Sequence, residues 1–157
     1  MPRHPYKRTK FKFDPVYKSE EVAKLINYIM VDGKKDVAAG IVYSVLTGFE
    51  KKNEDGLRLL QQAFANVAPT YEVKPRRLGG ASYLVPSEVR RERKLFLAMN
   101  WIIEGARARS NKEFHSFADK LAAELLDASK NQGSAVSKRQ QTEKLAEANK
   151  AFSHLKW

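Results

Sequence analysis

Apolar residues recur at helical spacing along most of the chain, and the departures from that spacing are local. Val22, Leu25, Ile26 and Ile29 share one face of a helix predicted over 19–30, with Ser19 as its N-cap and Asp32-Gly33 as its stop. Ala38, Ile41, Val42, Val45, Leu46 and Phe49 predict a second over 35–49. Leu57, Leu60, Phe64 and Val67 predict a third over 55–67, ended by Pro69, because the residue before a proline is pushed out of helical geometry. From 91 to 109 a fourth helix is apolar nearly all round its middle, Leu95 to Ile103, so it should be central and buried, with Trp101 in the core. Phe114, Phe117, Ala118, Leu121, Ala122, Leu125 and Ala128 form the strongest stripe, predicting a fifth helix over 113–130 closed by Asn131-Gln132-Gly133-Ser134. A sixth is predicted from 135 towards 154, with Leu145, Ala148, Phe152 and Leu155 on a weaker face.

Between the third and fourth helices the period changes. Tyr71, Val73, Leu78, Tyr83, Val85 and Val89 flank Gly79-Gly80, which predicts two short strands and a tight turn over 71–89. Pro75 and Pro86 argue for a separate two-stranded ribbon rather than part of a larger sheet. Strands of eight residues would reach about 25 Å at roughly 3.3 Å per residue. An isolated ribbon is marginal in water, so a basic one should lie along something else. The predicted fold is mainly α: a single-domain bundle of about six helices spanning 1–157, with a protruding β-hairpin arm (71–89). Residues 1–18 show no helical period and place Tyr6, Phe11, Phe13 and Tyr17 among basic residues, which predicts an extended N-terminal arm ordered by a partner.

Charge gives the arms their meaning. The 157 residues carry 29 Lys+Arg and 18 Asp+Glu, a formal net charge of +11. Residues 1–18 hold six basic and one acidic side chain, and residues 74–94 hold seven and two. Arg107, Arg109 and Lys112 form a third basic window, and Lys130, Lys138 and Arg139 a fourth; the rest of the chain is net acidic. Solubility does not demand such segregation, whereas a polyanion partner does. Arg76 and Arg77 beside the turn suit phosphate, since arginine can hold it bidentately or stack on an unpaired base. Gly79 and Gly80 are explained by the positive φ of the turn. Lys34 and Lys35 sit where the second helix's dipole disfavours cations, a penalty that a bound phosphate would reverse. Arg3, Lys7, Arg8, Lys10 and Lys12 form a basic tail suited to threading along a polyanion. The expected contacts to a polyanion add Lys74, Arg90, Arg91, Arg93, Lys94, Arg107, Arg109 and Lys112, the set that a nucleic-acid partner would meet. Tyr83 is equally suited to stacking a base and to covering the ribbon.

Other chemistries are poorly served. Cysteine is absent, which removes disulfides, zinc–thiolate clusters and thiol nucleophiles. His4, His115 and His154 lie far apart, so no metal site and no cofactor is expected. Asp119 and Glu124 have no neighbouring nucleophile and do not make a catalytic pair, so no catalytic residue and no small-molecule substrate is expected. No apolar run approaches the roughly 18 residues of a membrane span, and the basic start has no apolar segment behind it as a secretory signal would. A soluble protein of the cytoplasm is expected.

The hairpin Glu72-Val73-Lys74-Pro75-Arg76-Arg77-Leu78-Gly79-Gly80-Ala81-Ser82-Tyr83-Leu84-Val85-Pro86-Ser87-Glu88-Val89 resembles the arm of the bacterial small ribosomal subunit protein seven family. Asp14-Pro15-Val16-Tyr17, Asp32-Gly33-Lys34-Lys35, Ile41-Val42-Tyr43, Leu97-Ala98-Met99-Asn100-Trp101, Leu121-Ala122-Ala123-Glu124-Leu125 and the run from Ala146 to His154 resemble its other motifs, in order. The resemblance implies a structural, RNA-binding protein of the small-subunit head. Its partners would be the 3′ major domain of the ribosomal RNA, neighbouring small-subunit proteins, and the exit-site tRNA and mRNA. It implies help in initiating head assembly, no membrane, and a place in a bacterial-type ribosome. Gly79, Gly80, Tyr83, Lys138, Arg139, Lys150 and His154 would then lie on the tRNA and mRNA side. Pro75, Leu84, Arg91, Gln140 and Glu143 depart from the family's usual residues. The alternative reading of the residues is a DNA-binding architectural protein with a basic ribbon, although no dimer-forming strip is visible.

Overall fold

A computed structural model describes residues 12–51 and 55–155. Its order is α1 (Glu20–Ile29), α2 (Lys35–Glu50), α3 (Gly56–Val67), β1 (Tyr71–Leu78), β2 (Ala81–Glu88), α4 (Arg91–Ala108), α5 (Phe117–Ser129), α6 (Ser134–Ala148) and a terminal 3-10 helix (Lys150–Leu155). The fold is thus mainly helical with a single two-stranded antiparallel hairpin among the described residues, as the spacing of apolar positions predicts. The chain divides into two compact units, Met1–Val42 and Tyr43–Trp157, with the boundary inside α2.

In the first unit, Val22, Leu25, Ile26 and Ile29 of α1 and Ala38 and Val42 of α2 are buried. Ser19 caps α1, its hydroxyl accepting from the Val22 N–H at 3.5 Å. Of the predicted N-terminal arm, residues 1–11 lie outside the described residues. Residues 12–18 include a turn rather than a plain extended segment. Asp14, 4% exposed, accepts the Val16 and Tyr17 N–H groups at 3.1 and 2.9 Å, and its carbonyl accepts from Lys18 N–H at 2.9 Å. An aspartate that binds the backbone two and three residues on is a local turn-former, and it outweighs the absence of an apolar stripe.

The second unit is built on α4, whose Ala98, Met99, Ile102, Ile103 and Ala106 are buried; α3 and α5 pack on each other and on α4. Asp55 caps α3 by accepting from Leu57 and Arg58 N–H at 3.1 and 3.2 Å. Trp101 is half-buried rather than fully in the core. Two helix ends differ from the periodic pattern. The fifth helix begins at Phe117, not near residue 113, because Ser116 is the effective cap: its hydroxyl accepts from Asp119 N–H at 3.1 Å and donates to the Asp119 carboxylate at 2.6 Å. The sixth ends at Ala148, where the Asn149 side chain donates to the Leu145 carbonyl at 2.8 Å and the chain tightens into the 3-10 turn. Leu145, expected on the apolar face, is 47% exposed.

In the ribbon, Tyr71 pairs with Glu88 and the register runs to Leu78 opposite Ala81. That leaves Gly79 and Gly80 as a two-residue turn with φ of +55° and +89°, the primed geometry that suits hairpin twist. The tip from Arg77 to Ser82 is exposed, while Val85 and Pro86 near the base are buried, with the base against α6 and the terminal 3-10 helix.

Candidate nucleic-acid interface

Because side chains alternate along a strand, the register sorts the arm's cations. Lys74 and Arg76, opposite Val85 and Tyr83, share a face with Glu72 and Ser87; Arg77, opposite Ser82, points to the other. The first face continues into Arg90, Arg91, Arg93 and Lys94, where the chain turns into α4. Together they line an open groove of about 1040 Å³ holding six cations against two carboxylates, Glu72 and Glu88. Glu72 organises the groove wall: it pairs with Lys74 Nζ at 3.1 Å and Arg93 Nε at 3.3 Å. The Arg93 guanidinium also lies 5.0 Å from the centre of the Phe96 ring, which holds its stem while leaving it half exposed.

Helix α4 opens into this groove with Arg90 in extended geometry (φ −67°, ψ 151°) and no side-chain cap. The first-turn N–H groups of an 18-residue helix therefore face a basic cleft, an arrangement that favours an anion. Ser87 Oγ, on the groove wall, is buried with no hydrogen-bond partner among the described residues.

Other predicted contacts are placed differently. Arg109 is drawn inward. Its Nε and Nη2 donate to Glu124 Oε2 at 2.9 and 2.6 Å, and Nη2 also pairs with Asp127. Burial alone would lower the Arg109 pKa, but the hydrogen bonds to Asp127 and Glu124 and their negative charges raise it above its ordinary value. Lys138 is paired with Glu104, and Arg139 donates to the Asn66 carbonyl at 2.7 Å and lies 3.7 Å from Glu143. Tyr83 stands 5.3 Å from Phe152, ring to ring, so it packs the ribbon against the terminal 3-10 helix. Lys150 lines a separate cavity of about 610 Å³ with Glu88, Glu143 and Glu147, an environment hostile to phosphate. Arg107, Lys112 and His154 are exposed at the surface. Lys12, Lys34 and Lys35 are exposed in the first unit, the two lysines beside Asp36 at the start of α2. Arg3, Lys7, Arg8 and Lys10 lie outside the described residues.

Sequence reasoning missed the Arg109–Glu124–Asp127 cluster, yet a signal was present. Glu124 interrupts the α5 stripe between Leu121 and Leu125, and a carboxylate on a buried face requires a cation. No helix among the described residues is long and apolar enough to cross a membrane, and no three metal-ligating side chains gather there.

Fold and charge together define a class: a basic, mainly helical protein with a cationic groove between a ribbon and a helix start. Comparison with known proteins narrows it. The model of the family described as ribosomal protein S7p/S5e matches residues 1–150, and the chain belongs to that family of structural, non-enzymatic proteins. Among its relatives are proteins named small ribosomal subunit protein uS7. That of Thioalkalivibrio sulfidiphilus is 55% identical over 144 residues, covering 92% of this chain and 91% of the relative. Those of Xylella fastidiosa and Vibrio vulnificus are 51% and 53% identical with the same coverage.

Proposed function

We propose that the chain is a structural constituent of the small ribosomal subunit that binds the 3′ major domain of its RNA and helps to initiate folding of the head. The observation that carries this reading is the groove between ribbon and α4, where Lys74, Arg76, Arg90, Arg91, Arg93 and Lys94 converge on an uncapped helix start. Phosphates entering it would release condensed counterions and meet the positive end of the α4 dipole at once. We assign the exposed turn at Gly79 and Gly80, with the exposed His154, to the exit-site tRNA and the outgoing mRNA. The protein would then act in the cytoplasm as part of the ribosome, alongside neighbouring small-subunit proteins. Chemical footprinting of the purified protein on small-subunit ribosomal RNA tests the assignment. Protection confined to the 3′ major domain, lost on replacing Arg90, Arg91 and Arg93 with glutamine, is the expected result; protection elsewhere, or none, refutes it.

A further inference from the structure

Helix α6 is held to the second unit by unusually little apolar surface. Its buried residues are Ala135, Val136 and Ala146, all small. Polar pins do the rest: Lys138 pairs with Glu104, Arg139 donates to the Asn66 carbonyl, and the Glu143 carboxylate accepts from Thr70 N–H at 3.0 Å. The innermost pin is Glu124, whose side chain is only 1% exposed. The helix's own N-cap residue is Gly133, at φ +95°, which has no side chain to offer. Glu124 supplies the missing cap from α5: its Oε1 accepts from Ser134 Oγ at 3.0 Å and from Ala135 N–H at 3.1 Å, while Oε2 is held by Arg109. The fit excludes even one extra carbon. A Cβ on Gly105 would collide with Ser134 Oγ and lie 2.7 Å from Glu124 Oε1.

From α6 the contact runs on to the arm. Helix α6 packs against β1, and the 3-10 helix that follows it packs against β2 and sets Phe152 against Tyr83, the residue directly opposite Arg76. We propose that Glu124 is a positioning residue for the ribbon. By capping α6 across the helix junction it fixes the terminal 3-10 helix, and through Phe152 it fixes the arm at Tyr83, in the ribbon's outer half. That the arm so positioned meets RNA rests on the function proposed above; the positioning itself does not.

Hydrogen–deuterium exchange on the full chain without RNA tests the coupling. Glu124→Met keeps the side-chain length, removes both acceptors and leaves Arg109 its Asp127 partner. Exchange in α6, the 3-10 helix and β2 should rise at least about tenfold more than in α3 and the centre of α4, as local opening does. Phe152→Ala should speed β2 but not α6, and adding it to Glu124→Met should change β2 by less than about twofold, since the link is already broken. Ser134→Ala, which removes one bond of the cap, should reproduce the pattern at about threefold and decides the matter if the methionine variant does not fold. A uniform rise across all helices, a ribbon as protected as in the native chain, or fully additive effects on β2 would each overturn the proposal. RNA affinity of the same variants is a separate reading: native affinity with a loosened ribbon would keep the positioning role and remove the arm from RNA binding.

Discussion

Replacing Arg109 with methionine separates two meanings of a basic residue. The side chain belongs to a window that sequence alone assigns to a polyanion, yet it is only 21% exposed and its guanidinium lies between the buried Glu124 and the half-exposed Asp127. Methionine keeps much of the stem but leaves Glu124 with only Ser134 Oγ and the Ala135 N–H. Removing one partner of a buried pair costs about 3–5 kcal/mol, and the exposure of Asp127 places this one near 3 kcal/mol. In a chain of this size that lowers the melting temperature by roughly 6–12 °C. The loss should persist in high salt, because buried charges are poorly screened. Calorimetry at low and high salt measures it, and RNA titration well below the transition measures binding by the folded variant. We expect RNA affinity within about threefold of the native value, since a displaced phosphate contact would cost more. An unchanged melting temperature with a large loss of RNA affinity would refute the inward reading of Arg109.

Further tests address the groove and the packing. With about six phosphates neutralised, RNA affinity should fall near a thousandfold between 50 and 200 mM salt, and a flat response would exclude the basic groove as the binding surface. Arg76→Glu together with Arg77→Glu should weaken RNA binding at least about a hundredfold, while Arg77→Glu alone, at the exposed tip, should shift melting by only a few degrees; native affinity of the double variant would mean that the arm meets no RNA. Gly105→Ala should cost about 1–3 kcal/mol by overpacking against Ser134 and Glu124, read from urea unfolding. Deleting residues 1–18 should lower stability relative to deleting 1–11, since only the longer deletion removes the Asp14 turn, and equal stabilities would show that turn to be dispensable.

Where local chemistry and apolar period agree, sequence reads structure closely. Ser19 and Asp55 mark two helix starts, and Gly79-Gly80 marks a turn that the register places between Leu78 and Ala81. Where they disagree, the cap prevails. Phe114 continues the stripe of Phe117 and Leu121, but Ser116 and Asp119 close a capping pair that starts the helix beyond it. Phe114 instead lies near the Arg109 guanidinium, 5.6 Å from its ring centre. The groove was legible as a run of charge from 74 to 94, because its cations are near neighbours across one turn of chain. The clamp on α6 was not: Arg109, Glu124 and Ser134 come from three segments, and no periodicity within one segment brings them together.

Counting positive charge therefore overstates RNA contact in a specific way. Arg109 is drawn in beside the buried Glu124, whereas Lys138 and Glu104 form an exposed pair at the surface. In the groove, Arg90, Arg91 and Lys94 line the same wall as Arg76, while Glu72 holds Lys74 and Arg93. A cation facing its own protein's carboxylate gains little from a phosphate, because it must give up one anion to meet another, whereas one in a like-charged groove is relieved of repulsion as well. The same physics that stabilises the helix junction thus removes it from the interface. On the function proposed above, it leaves the ribbon–α4 groove as the surface that would draw a polyanion most strongly.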